Sequence, residues 1–237
     1  MHNIIHHKTL REEVADSIRK KILYHELEPG MRVTESEFAE QFGVSHGPIR
    51  EALRQLEQEG LLVYTRNVGC SVRDLSLSEV TEALLMRGTY ELTALRACKG
   101  NLSDNAFRKM EEVLDNMKKM DGSDYTESII YDNEFHTVLI CEANMPYLTK
   151  AWHSLDFATF FTFYRQTEDY SAVSDKQYRV HKALYDTYLE KDCAASCNAV
   201  YGHYKISVDK MLKGAQIDES AFPYSFDVIN PNTGASV

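Results

Sequence analysis

Apolar positions in the first third of the chain fall into two short helical stripes and then a strand-like stretch. Phe38, Ala39 and Phe42 share one face of a short helix, and Ile49, Ala52, Leu53 and Leu56 recur at the roughly 3.6-residue spacing of a second. Thr34 with Glu37 three residues later predicts a capping box at the start of the first helix. Gly43 supplies the left-handed turn that ends it, and Ser45 stands where it can cap the second. Gly60 stops that helix, and Leu61 to Val72 predicts two short strands around Asn67, Val68 and Gly69. Helix, turn, helix and hairpin is the sequence form of a winged helix-turn-helix, with the outer face of the second helix left for a partner.

Beyond Asp74 the period becomes helical throughout. Ser76 and Glu79 offer another capping box, and helices are expected near 77–99, 104–119, 124–143, 146–166, 172–190 and 193–213. Breaks are expected at Gly100, Asp121-Gly122-Ser123, Asn144 to Pro146, Tyr170-Ser171 and Lys191-Asp192. The expected fold is mainly α: a winged helix-turn-helix over 1–74, an all-α bundle of about six helices over 75–213, and a surface or fraying tail over 214–237.

Composition narrows the class. The 237 residues, 43% hydrophobic and 11% aromatic, have globular values. No run approaches the 18 or so apolar residues of a membrane span, and the N-terminus lacks a signal-peptide block. Five cysteines without a CxxC pair point to a reduced, cytoplasmic protein.

The net charge of −10 is unexpected for a DNA binder. Residues 1–75 hold 10 Lys/Arg against 12 Asp/Glu, so the excess of negative charge lies mostly in the helical half. The N-terminal cations nevertheless cluster, at Lys8, Arg11, Arg19, Lys20 and Lys21, at Arg50 and Arg54, and at Arg66 and Arg73. Placement rather than net charge decides phosphate contact.

Four polar residues fall on stripes that should face a core. Asp132 and His136, four apart, stack with Ile129, Leu139 and Ile140; His181 lies with Tyr178, Leu184, Tyr185 and Tyr188; His203 lies with Ala199, Val200 and Ile206. An unpaired buried polar group costs about 1–3 kcal/mol. One divalent metal would satisfy all four, and imidazole with carboxylate donors suits Zn²⁺ first, then Ni²⁺, Mn²⁺ or Fe²⁺. His153, beside Trp152, reads as a packing-helix residue instead. Arg87 lies on an inward stripe with Val80, Leu84, Glu91 and Ala94. It is either half of an Arg87–Glu91 pair or a fork for a carboxylate. Arg165 with Tyr164 either lines the same cavity or is a surface charge beside ordinary packing.

The segments EPGMRVTESEFA (28–39) and GVSHGPIREALRQLEQEGLL (43–62), with Gly69 and Val72, resemble the GntR family of bacterial transcription regulators. Nearly every position fits; His46 and Gly47 stand where the family usually has Arg and Thr. The helical half, from Leu77 to Lys213, resembles the FCD ligand-binding domain of the FadR branch. The resemblance implies that Asp132, His136, His181 and His203 are metal ligands. It further implies that Arg87, with Arg165 as a second candidate, meets a carboxylate effector. At the DNA end, Ser36, Ser45, His46, Gly47, Arg50, Arg66 and Gly69 are the expected contacts, with Arg50 reaching a phosphate or guanine edge.

The resulting expectation is a homodimeric, ligand-responsive repressor. It would read a pseudo-palindromic double-stranded operator and respond to an organic or sugar acid held at the metal. A metalloenzyme using the Asp/His site, and a constitutive DNA binder whose helical half only dimerises, are the rival classes.

Overall fold

The computed structural model describes residues 9–120, 125–166, 173–222 and 224–232. They form two units, Met1–Leu75 and Ser76–Val237.

The first unit opens with a helix, α1 (Leu10–Leu23), that the stripe reading above did not include. Its start is a complete Thr9–Glu12 capping box, and Val14, Ala15, Ile18, Ile22 and Leu23 bury one face against a later helix, α3 (His46–Gln58). Between them lie β1 (Arg32–Val33) and α2 (Glu35–Phe42). Thr34 accepts from the Glu37 N–H as expected, although the Glu37 carboxylate takes the Thr34 hydroxyl rather than closing the full box. Gly43 ends α2 at φ 66°. β2 (Leu62–Thr65) and β3 (Gly69–Val72) form the hairpin, and β1 adds to it in the antiparallel order β1-β3-β2. The register pairs Leu62 with Val72, Thr65 with Gly69 and Arg32 with Ser71.

The second unit comprises α4 (Leu77–Ala97), α5 (Asp104–Lys119), α6 (Tyr125–Glu142), α7 (Pro146–His153), α8 (Asp156–Gln166), α9 (Val173–Leu189) and α10 (Cys193–Ala215). The Ser76–Glu79 capping box is fully formed. The continuous helix expected over 146–166 is two helices. Ser154 Oγ donates to the Ala151 carbonyl at 2.6 Å, a local bond that competes with the helical ladder and turns the chain at Leu155. The breaks expected at Asp121–Ser123 and Tyr170–Ser171 lie outside the described residues.

Helix α4 is central, packing on α6, α8 and α10. The tail is not a loose appendage. Phe226 is buried, Tyr224 Oη donates to the Ser78 carbonyl at 2.7 Å, and the side chain of Ile229 lies over Gly88 of α4. A Cβ at Gly88 would sit 2.7 Å from Ile229 and 3.3 Å from Tyr204, so the missing side chain admits both tail and α10. Among the described residues, no helix is long and apolar enough to cross a membrane.

Candidate functional site

The polar stripes of α6, α9 and α10 converge. Potential ligand atoms of Asp132, His136, His181 and His203 all lie within 4.8 Å of one another. That is close to the roughly 4.2 Å that opposite ligands of one ion span with bonds of about 2.1 Å. The three imidazole rings are 4.9–5.4 Å apart between centroids. His136 Nε2, His181 Nε2 and His203 Nδ1 are buried without a hydrogen bond, and Asp132 Oδ1 lies 3.3 Å from His181 Nε2. Burying such nitrogens in a packed interior is unfavourable unless something occupies the space between them. The residues present therefore fit a divalent ion.

The remaining imidazole nitrogens are held from outside. His181 Nδ1 lies 2.8 Å from the Gln177 carbonyl, which can only accept, so the proton is on Nδ1 and the Nε2 lone pair faces the cluster. His136 Nδ1 meets Glu91 at 2.9 Å, and the other Glu91 oxygen accepts from Tyr204 Oη. Burial disfavours charge on His136, but the Glu91 carboxylate outweighs it and raises the imidazole above its usual range. Burial, then His136 and His181, push His203 well below the usual range, leaving a neutral donor. Burial works against ionised Asp132 too, yet His181 and the neighbouring imidazoles hold its carboxyl well below the ordinary carboxylate range. An ionised Asp132 and a neutral His203 are in the protonation states a metal takes, while an ion would have to displace the proton that Glu91 favours on His136.

Arg87 is fully buried nearby, but it is not paired with Glu91, which is turned to His136 and Tyr204. Arg87 Nη2 donates to Asn133 Oδ1 at 2.9 Å, and Nη1 reaches the Leu155 carbonyl at 3.4 Å and Asp156 at 3.5 Å. The guanidinium stacks 3.7 Å from the Trp152 ring, and Thr159 Oγ1 also donates to Asn133. The break between α7 and α8 thus presents the Leu155 carbonyl to Arg87.

A cavity of about 110 Å³ opens beside this group, lined by Arg87, Asp132, His136 and His203 with Thr159 and Phe163. Arg165 is not among its walls; it sits exposed in the last turn of α8, whose packed residues are those of the preceding turns. Tyr164, part-buried, lies outside the lining as well. Ile206, expected to face inward beside His203, is 57% exposed at the cavity rim. His153 is an exposed partner of Asp156 at 3.1 Å, as expected of a residue outside the cluster.

In the first unit, Ser36, Ser45, His46, Gly47, Arg50 and Arg66 are all exposed. Ser45 occupies the N-cap of α3 but makes no capping bond. Pro48, three residues on, has no N–H to give. A Cβ at Gly47 would meet nothing within 4 Å, so the fold leaves that space open. Arg50 forks the Glu35 carboxylate at 2.9–3.2 Å, with His46 3.9 Å from the same group. Gly69 has φ 108°, a conformation glycine tolerates, and the Arg32 guanidinium lies 3.5 Å from the position of its missing Cβ.

Several N-terminal cations counted as a cluster are engaged elsewhere. Arg19 binds Glu59 at 2.9 Å and also Asp16, and Lys21 binds Glu26 at 2.8 Å. Lys8 lies outside the described residues.

Sequence reasoning missed Glu91 as a support of His136, although it shares the inward stripe of Arg87. Asn133, Trp152, Thr159, Tyr204 and Arg32 were also missed, and their roles depend on long-range packing that no local pattern carries.

Residues 10–72 match the family described as bacterial regulatory proteins, gntR family, and residues 82–205 match the FCD domain. The chain is 28% identical over 192 residues to an uncharacterized HTH-type transcriptional regulator, YdhC, of Bacillus subtilis, covering 80% of this chain and 85% of that one. It is 33% identical over 152 residues to a probable D-xylose utilization operon transcriptional repressor of Paenarthrobacter nicotinovorans, covering 62% and 65%. A putative GntR regulator from Rhodococcus sp. RHA1 has a similar fold, with TM-score 0.67 and 20% identity over 86% of this chain and 97% of that one. With its helix-turn-helix and wing followed by an FCD domain, this chain belongs to the GntR family of bacterial transcription regulators.

Proposed function

We propose that this regulator is a repressor that binds a pseudo-palindromic operator as a homodimer and responds to a small carboxylate held at a divalent metal in its FCD domain. The observation that carries this reading is the set of three buried imidazole nitrogens that lack a hydrogen bond and converge with Asp132. Asp132, His136, His181 and His203 would hold the ion, Zn²⁺ being the first choice for such donors. When bound, the ion supplies an open coordination position for a carboxylate oxygen. The chain's own residues do the rest. Glu91 and the Gln177 carbonyl orient two imidazoles, and Asn133, Thr159 and Trp152 hold Arg87 with its charge beside the cavity. Arg87 then stabilises the acid's negative charge where little water competes.

In the first unit, the free Ser45 hydroxyl, the open space at Gly47 and the Arg50 fork form the face offered to DNA. Arg50 must leave or share Glu35 to reach a base or phosphate, and His46 replaces a guanine-reading arginine with a single weak contact. Ser36, Arg66 and Gly69 would meet the backbone at its edges. A dimer would place two such faces on half-sites roughly one helical turn apart. The acid would act through a coupling of about 1–3 kcal/mol between its own binding and operator binding. The relative named as a probable repressor of a D-xylose utilization operon supports repression as the mode of action.

Elemental analysis of the purified full-length protein, mass spectrometry of released small molecules and operator selection test the reading together. One metal per chain, a released carboxylic acid and weakened operator binding on adding that acid are expected. Specific DNA binding with no metal and no effector response would leave a constitutive DNA binder.

A further inference from the structure

The cavity has a second charged end that the metal reading does not use. Lys176 of α9 and Lys210 of α10 line it together with Gln177 and Ser207. Both side chains line the same cavity, and their positive charges are close enough to repel. Lys210, together with partial burial, lowers the pKa of Lys176 to about 8, and no carboxylate opposes the shift. Two other lysines on the same helices are neutralised, Lys182 by Asp186 and Lys205 by Asp209 and Glu219. The difference is written in the chain, since Val180 and Gly214 stand one turn beyond Lys176 and Lys210, where those lysines have carboxylates. Two like charges at a cavity mouth, with no counter-ion among the described residues, favour an anion between them.

Position along the helices sets the scale. Lys210 lies two turns beyond His203 on one face of α10, about 10 Å along the axis, and Lys176 lies about 7 Å before His181 on α9. We propose that Lys176 and Lys210 form a second anion subsite, so that the ligand is a small acid with a carboxylate at the Arg87 and Asp/His end and a second carboxylate or phosphate at the lysine end. This rests on the carboxylate reading of the pocket given above. A spacing of about 7–10 Å along the helices, partly spanned by the lysine side chains, calls for a short diacid of the size of succinate or glutarate.

Calorimetry on the full-length, Zn²⁺-loaded protein tests it. Succinate and glutarate are compared with butyrate and valerate, and 3-phosphoglycerate with glycerate. At least one dianion should bind tenfold or more tighter than its monoanionic partner, and whichever series gains identifies carboxylate or phosphate as the second group. In K176Q/K210Q the advantage should disappear, with dianion affinity falling at least tenfold further than monoanion affinity; K176R/K210R should keep it. Equal binding of mono- and dianions by the wild type, or an advantage that survives in K176Q/K210Q, overturns the second subsite and leaves the carboxylate pocket standing. If no acid in either series binds, the carboxylate reading falls and the subsite with it. Both lysines are exposed, so the variants should melt like the wild type, which separates lost binding from lost folding.

Discussion

The two units treat polar side chains in opposite ways. On the DNA-reading unit the key charges are exposed and satisfied by one another, as Arg50 is by Glu35 with 53% and 36% of their side chains accessible. In the helical unit Asp132, His136, His181, Glu91 and Arg87 are buried, and the imidazole atoms that face each other are left unsatisfied. An exposed pair contributes at most about 1 kcal/mol and exchanges partners readily, which suits a surface that must trade Glu35 for DNA. A buried donor set cannot rearrange cheaply, so its geometry is fixed ahead of any ligand. The same residue types thus mark an exchangeable contact in one unit and a preformed site in the other.

That contrast can be broken most sharply at the metal cluster. His136→Ala should reduce metal content from one ion per chain to near zero by elemental analysis. It should also remove the thermal stabilisation that added metal gives, about 2.7 kcal/mol at a concentration one hundred times the dissociation constant. Unchanged metal content would place the ion elsewhere. Arg50→Ala should weaken operator binding by about 100-fold, since each lost base or phosphate contact is worth about 1–3 kcal/mol and a dimer carries it twice. Metal content should not change; a gel-shift titration showing wild-type affinity would remove Arg50 from the interface.

Smaller effects sharpen the comparison. Glu91→Gln should lower metal affinity by about 10- to 100-fold, because it supports a ligand rather than binding the ion. Competition with a metallochromic chelator measures this, and wild-type affinity would make Glu91 a packing residue only. Gly47→Ala should leave stability the same or raise it by up to about 1 kcal/mol, since the position is helical and its surroundings are open. Its operator binding should nevertheless fall if the DNA backbone comes close there. Smallest of all, Glu35→Gln should shift the denaturation midpoint by no more than about 0.5 kcal/mol of stability, as expected for an exposed pair. A larger loss would show that the Arg50–Glu35 fork is structural rather than exchangeable.

Much of the architecture was legible because its signals are local. Thr34, Gly43 and Ser76 act within one turn of their own position, and the stripes of α3 and of α6 and α10 follow from spacing alone. The same logic exposed Asp132 and His136, whose four-residue separation fixes a shared face. It was less reliable where local bonds compete: Ser154 divides an otherwise uniform helical stretch, and Pro48 denies Ser45 the capping bond its position suggested. The first helix carries signals of the same kind, since the Thr9–Glu12 box and the Val14 to Leu23 stripe are both local.

By itself, then, the sequence determined a winged helix-turn-helix, a helical partner unit and polar residues on inward stripes, because caps, turns and periodicity depend on neighbours along the chain. The tertiary structure decided what those residues meet. It turned Glu91 from Arg87 to His136, set Arg87 against Trp152 and Asn133, docked the tail over Gly88 and brought Lys176 beside Lys210. Each of those outcomes joins residues on different helices, and such contacts are fixed by how the helices pack, which short-range spacing does not specify.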